Sequence, residues 1–496
     1  MSALLPLTAD GTSTASRSPR IYGDAHLRAC PLSTITRSPS FLRNRESHED
    51  AFLASVPVES VDLFLSHSWS ADGFWKQAAL SIGCGTSSSF KATLVLSSIA
   101  AGLFYPLARD GDKFELLVCT FGLVTFLVSL FVIPLFRYRN TMAFLDKCCI
   151  PQDDPIAKSY GISRLADYLR ASDKLLILWS PDYLDRLWCV YELAVFLQNH
   201  DEDDVILINL DYLKLCVLVM LLQFLTTLVM CLLQPHNTQI WYIVQVCGLA
   251  ASILIYFGVY RCSEEWEKFC SNVNFFNVSK AKCSALADYY TLKQLISRMY
   301  GSEARFATAV RALWLGERRE KQFPPWMFSA ASLRIICVPF IPLILSRIVI
   351  RIASSIKTNV IFAMPIYAKG VVSPDSLPST VQILLWELRT TVIPISMICL
   401  RAPLMQLVAH EMATGWISKN MGKWGVGIIF ALACVSYHCL TQTVCGVSIW
   451  RCPLIESAMN LPTDEALLWM YGVIAVSVSY LIVRRSYAYE LPAGLS

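Results

Sequence analysis

Glu192 stands in a setting unusual for a carboxylate. Its helical neighbours three and four positions away are Trp188, Cys189, Val195 and Phe196, all apolar. A carboxylate in such a stripe loses part of its hydration, which raises its pKa and favours a functional role. The plainer reading is that Glu192 caps a nearby backbone group, or pairs with Arg186 or Lys174 at a domain surface.

Other chemistries find little support. The eighteen cysteines include no CxxC pair, and no Cys/His cluster has zinc-ligand spacing, so no metal is expected. The chain has no GxxxxGK[ST] loop, no GxGxxG after a strand and no HExxH, and His410-Glu411 stands alone. No bound cofactor is implied. Cys148 and Cys149 read as structural, whereas Cys445 and Cys452 flank an outward loop and would form a disulfide if that side is oxidising.

The elements that position Glu192 are short apolar strands alternating with helices. SVDLFLSHSW, within 60–83, is a strand ending in Ser66-His67, with Trp69 just beyond and a helix over 73–82. Residues 137–212 give a strand at 142–145 ending at Asp146 and a polar loop at 151–160. A helix at 162–171, a strand at 174–179, a helix at 183–198 and a strand at 204–210 follow. The strands lack clean alternation, as expected of a parallel α/β sheet covered by helices on both faces. Ligands of such sheets sit at the carboxyl ends of the strands, here Ser66-His67, Asp146, Ser180 and Asp211. Helical segments at 284–298 and 303–315, within 262–316, would close the same domain or form an independent helical loop.

The remainder points to a membrane. The 496 residues are 55% hydrophobic and only 16% charged, with a mean hydropathy of +0.47. An average soluble protein is about 45–50% apolar and about 25% charged. The net charge of +4 is too small to argue for nucleic acid. A helix needs about 20 mostly apolar residues to cross a bilayer. Eight stretches qualify: 91–108, 114–136, 213–233, 240–260, 329–349, 381–400, 424–445 and 466–483. The sixth holds Glu387 and Arg389, each costing about 2.5–3.5 kcal/mol at a helix centre. They lie two positions apart, on different faces, and cannot easily neutralise each other; the segment lies partly in the interface, turns its charges to other helices, or holds a functional intramembrane charge. Another short apolar segment at 360–367 leaves the count open. Lys and Arg gather in 137–212, in 261–328 and after 483, while 234–239 has neither, so both termini are expected in the cytosol.

These readings give a domain plan. Residues 1–58 are a Ser/Thr/Pro-rich tail, expected to be disordered or a phosphorylated docking segment, with no signal-peptide core. Residues 59–83, 137–212 and 262–316 form the soluble domain, into which transmembrane hairpins 91–136 and 213–260 are inserted. Residues 329–483 form a membrane bundle, and 484–496 a cytosolic tail.

Five pieces occur in an order that resembles the TIR (Toll/interleukin-1 receptor) family. They are Leu65-Ser66-His67, Phe144-Leu145-Asp146, Ala171-Ser172 before a strand ending Trp179-Ser180-Pro181, Tyr183, and Trp188-Cys189-Val190-Tyr191-Glu192-Leu193. The last matches the tryptophan-cysteine-x-x-glutamate-leucine signature of the plant-type branch. The resemblance covers roughly 60–212 and, more loosely, 284–315. The inserted hairpins and the first loop, 68–73, depart from the family. It covers none of the eight spans and implies a flavodoxin-like α/β fold, here interrupted by the hairpins and expected beside a helical bundle of about eight spans.

It further implies that Glu192 matches the residue that, in TIR enzymes, engages the nicotinamide ribose as NAD is hydrolysed to nicotinamide and an ADP-ribose product. A carboxylate can stabilise the oxocarbenium-like sugar left by the departing base. Ser66, His67, Asp146, Trp69 and Trp188 would line the cleft, Trp69 by stacking a base. Asp153 and Asp154 lie in the loop the family uses for self-association, and otherwise read as a solvated acidic turn. Three functions follow: a membrane NAD hydrolase, a non-catalytic TIR scaffold binding its own kind, or a channel or transporter regulated by the domain. The expected partners are the lipid bilayer, other TIR domains and NAD.

Overall fold

The computed structural model describes residues 27–43, 49–106, 111–232, 238–283, 285–315, 326–346, 349, 393–444 and 465–486. Among them, six strands form one mixed sheet, ordered β2-β1-β4-β3-β5-β6. The strands are β1 (Leu27–Pro31), β2 (Val56–Val58), β3 (Val61–His67), β4 (Met142–Phe144), β5 (Ser172–Trp179) and β6 (Val205–Asn209). β4, β3, β5 and β6 run parallel, with Leu63 opposite Ala143, Ser66 opposite Ile177 and Trp179 opposite Asn209. Val61, Leu63, Phe64 and Leu65 are all buried, because side chains on both faces of β3 meet helices.

The helices are, in chain order, α1 (Leu32–Arg37), α2 (Glu49–Leu53), α3 (Gly73–Leu103), α4 (Gly111–Arg137), α5 (Asp146–Cys149), α6 (Pro155–Ser163), α7 (Leu165–Arg170), α8 (Leu187–Asn199), α9 (Leu210–Leu232), α10 (Thr238–Asn274), α11 (Leu286–Tyr300), α12 (Glu303–Leu315), α13 (Ala330–Cys337), α14 (Ile393–Thr414), α15 (Trp416–Val444) and α16 (Glu465–Ser486). Asp72 starts α3 by accepting from the backbone N–H groups of Phe74 at 2.8 Å and Trp75 at 3.2 Å. The segment before α11 is pinned to the start of α8 by Lys282 N–H on Asp185 O at 2.6 Å and Leu187 N–H on Lys282 O at 3.0 Å. Tyr300 reaches Ala194 O at 2.8 Å, and the Trp314 ring meets Trp179 edge-on at 5.7 Å. One continuous buried core runs from β1 through the sheet into α9, α10 and α15.

Three expectations are corrected. The sheet is mixed rather than purely parallel, since β1 runs antiparallel to both β4 and β2. Part of the segment expected as a disordered tail is folded: β1, α1, α2 and β2 all lie within 1–58. Leu27, Ala29, Cys30, Leu32, Ile35 and Leu42 are buried there. Their apolar runs are too short to stand out against Ser, Thr and Pro. Pro57 is accommodated because β2 is an edge strand.

The third correction concerns the bilayer. Among the described residues one stretch, Phe114–Arg137, is long and apolar enough to cross a membrane by length and composition, with a mean hydropathy of 2.7. The expected bundle of eight spans is not what these residues form. Stretch 91–108 is the far end of α3, which begins at the sheet, and 329–349 is interrupted where α13 ends at Cys337. A hydropathy window counts apolar side chains without regard to what they touch. In α9, Leu213, Leu215, Cys216, Val219, Met220 and Phe224 are buried against protein. In α3, Ser89, Thr93 and Ser97 form a buried polar row. Glu387, Arg389, residues 360–367, Cys445 and Cys452 lie outside the described residues.

Candidate functional site

Along the sheet the chain goes from β3 outward to β4, then crosses back to β5, so the strand order reverses between β3 and β5. In parallel α/β sheets, the crevice at the carboxyl ends of such strands is where ligands bind. Ser66 and His67 end β3, Ser180 follows β5, and α8 places Glu192 beside them.

Ser66, buried, donates to Glu192 Oε2 at 2.5 Å and lies 2.7 Å from the hydroxyl of the buried Tyr183. Among the described residues, Glu192 forms no ion pair with Arg186 or Lys174; its partner is the Ser66 hydroxyl. Glu192 remains partly accessible.

A second cluster adjoins it. Trp69 Nε1–H donates to Asp146 Oδ2 at 2.9 Å, and Lys147 N–H to Asp146 Oδ1 at 2.7 Å. The His67 ring meets Trp69 edge-on at 4.5 Å. Lys76, fully buried on the first turn of α3, stands 5.0 Å over the Trp69 ring and donates to Ser68 O at 3.3 Å. On the other side Asp182 accepts from Ser68 at 2.6 Å, from Ser180 at 2.7 Å and from Ser70. Arg186 Nη1 donates to Ser68 Oγ at 3.3 Å. The two strand ends are thereby tied together.

Burial dominates the electrostatics. It pushes Glu192 up to about 8; Asp146 adds to the rise, while the Ser66 hydrogen bond and Arg186 oppose it. Burial also raises Asp146, against the Trp69 hydrogen bond. It lowers Lys76 to about 8, with Asp146 and Asp72 resisting. Burial, then the charges of Lys76 and Arg186, holds His67 well below the usual imidazole range, and its Nε2 has no hydrogen-bond partner. Burial works to raise Asp182 too, but the hydroxyls of Ser68, Ser70 and Ser180 prevail and keep it low. The serine hydroxyls thus favour the ionised form of Asp182, while burial leaves Glu192 to change charge near pH 8. Such a group can pass a proton or, once ionised, stabilise a developing positive charge.

The structure brings Ser66, His67, Trp69, Asp146 and Glu192 to one end of the sheet. Trp188 sits one helical turn before Glu192, its ring 6.1 Å from Tyr191. Asp153 and Asp154 are exposed elsewhere, and Asp154 caps α6 by accepting from Ile156 N–H at 2.8 Å. Cys148 and Cys149 are buried free thiols. Among the described residues, no three His, Cys, Asp or Glu side chains gather so as to hold a metal ion.

Sequence reasoning missed Lys76 and Asp182, and took Tyr183 only as part of a pattern. A lysine following Phe74-Trp75 and preceding the apolar run from Ala78, and an aspartate two residues after Ser180, are the available signals. Comparison with protein-family models, curated proteins and solved structures returns no match to this chain.

Proposed function

We propose that this chain is a membrane-associated TIR-like enzyme that hydrolyses NAD to nicotinamide and ADP-ribose at Glu192. The observation that carries this reading is a partly accessible, desolvated carboxyl hydrogen-bonded at 2.5 Å to the end of β3, where the strand order reverses. In the proposed step the bond between ribose C1′ and the nicotinamide nitrogen breaks, and its electron pair leaves with nicotinamide. The ionised Glu192 stabilises the positive charge left on the sugar, and water adds there and releases a proton. Trp69, beside His67, supplies an aromatic face for a base.

For the membrane, the reading rests on α4, packed along α3. Val124, Val128 and Phe131 of α4 are about half exposed, as are Val95 and Ile99 of α3, a large apolar surface for a soluble protein.

A scaffold reading is favoured by one feature. Beyond Asp153 and Asp154, α6 exposes Ile156 and Tyr160, the former at 82%, a surface suited to a second copy of the domain. Incubation of the full-length protein in lipid nanodiscs with NAD tests the choice. The enzyme reading expects nicotinamide release that Glu192→Gln abolishes; the scaffold reading expects none, with self-association intact.

A further inference from the structure

The hydrogen bonds around Glu192 have a direction. Tyr183 is fully buried, and among the described residues its hydroxyl has a single partner, Ser66 Oγ. A buried phenol donates where it can, so its proton lies on Ser66 Oγ. Ser66 has one proton of its own. With its oxygen accepting from Tyr183, that proton goes to Glu192 Oε2 at 2.5 Å. In a protonated carboxyl the carbonyl oxygen is the stronger acceptor, so a Glu192 that takes the Ser66 proton on Oε2 holds its own acid proton on Oε1.

We propose that Tyr183 and Ser66 are positioning residues that fix Oε2 of Glu192 as a permanent acceptor and leave Oε1 as the oxygen that gains and loses the proton and faces the substrate. This rests on Glu192 being the working carboxylate. Ser66 then belongs to the support of the site rather than to its substrate contacts. The three groups come from separate elements: the end of β3, the turn after β5, and α8. A shift of any one would reorient the carboxylate.

The titratable groups acting on Glu192 are accounted for on each side. Asp146 after β4 raises it, and Arg186 just before α8 lowers it. The buried Cys189 thiol on α8 and Tyr183 are both raised in part by Glu192 itself. From α7, Asp167 and Arg170 act on Tyr191. From α11, the Tyr300 hydroxyl bonds to Ala194 O. Ser66 is therefore the one direct hydrogen-bond donor to Glu192 among the described residues.

The test is a carboxyl titration by infrared difference spectroscopy on the full-length protein in nanodiscs, with Glu192→Gln identifying the Glu192 band. A lost hydrogen bond to the ionised form raises the midpoint. Ser66→Ala is expected to raise it by about one pH unit. Tyr183→Phe, which frees the Ser66 proton to turn elsewhere, is expected to raise it by less. Ser66→Thr, which keeps the hydroxyl, is expected to restore the parent value. Where NAD turns over, the pH limb of kcat moves with the midpoint while KM stays within about twofold.

Midpoints equal to the parent's in both Ser66→Ala and Tyr183→Phe would overturn the proposal. So would a Ser66→Thr protein that is folded by circular dichroism yet titrates like Ser66→Ala. If Ser66→Ala fails to fold, Tyr183→Phe carries the same test. Shifted midpoints without nicotinamide release would keep the relay and remove the NAD reading; release with unmoved midpoints would do the reverse.

Discussion

Ser66 and Glu192 are 126 positions apart in the chain and are joined by one hydrogen bond of 2.5 Å from hydroxyl to carboxylate. That bond lowers the Glu192 pKa but does not overcome burial, and the carboxyl ends at about 8. The fold therefore prefers Glu192 protonated, with a consequence for stability. Between its ordinary value, 4.5, and about 8, the folded chain holds a proton that the unfolded chain has released. The stabilisation is complete below the lower value and is lost as pH rises through the upper one. Glu192→Gln is neutral throughout. Its melting temperature is expected to match the parent's near pH 5 and to exceed it by several degrees near pH 9. Parallel melting curves across that range would contradict the buried setting.

Trp69 and Asp146 form the second relationship to test. Trp69→Phe keeps an aromatic ring but removes the indole N–H that meets Asp146 Oδ2 at 2.9 Å. Loss of a donor to a partly buried carboxyl costs about 1 kcal/mol. A lower denaturation midpoint is expected, with Asp146 titrating at still higher pH. An unchanged midpoint would show that solvent already satisfies Asp146.

Gly301 ends α11 with a φ of +77°, in the left-handed region. An alanine there carries a Cβ that this conformation disfavours. Gly301→Ala is expected to cost about 1 kcal/mol and to lower the melting temperature by a few degrees. An unaltered melting temperature would mean that the end of α11 re-forms in another way.

Val124 and Val128 lie on the exposed side of α4, at 52% and 54% exposure. If that face meets lipid, an arginine near its centre costs about 2.5–3.5 kcal/mol of insertion free energy. The double replacement Val124→Arg, Val128→Arg is expected to move the protein from the carbonate-resistant membrane fraction into the soluble one. Continued resistance to carbonate would place the membrane contact elsewhere.

Legibility in the sequence followed how local each signal was. The strand at Val61–His67 and the apolar stripe around Glu192 are read from neighbouring residues alone, as are the strand-end positions of Ser66, His67 and Asp146. Lys76 was hidden because its burial arises only when the first turn of α3 meets Trp69, seven positions earlier, and the strand ends. Asp182 gains its importance from Ser68 and Ser70, more than a hundred residues away. β1 escaped because five residues ending in proline, inside a polar segment, carry almost no periodicity. The membrane reading went furthest astray for the opposite reason: apolar length is legible, but whether a face meets protein or lipid is decided by packing.

The most direct test of the central claim is nicotinamide release by the full-length protein, crowded in lipid nanodiscs with NAD, beside Glu192→Gln. Release by the parent, rising toward pH 8 as Glu192 ionises, and none by the variant is the expected result. Equal release by both, or none by a folded parent at any pH, would contradict it.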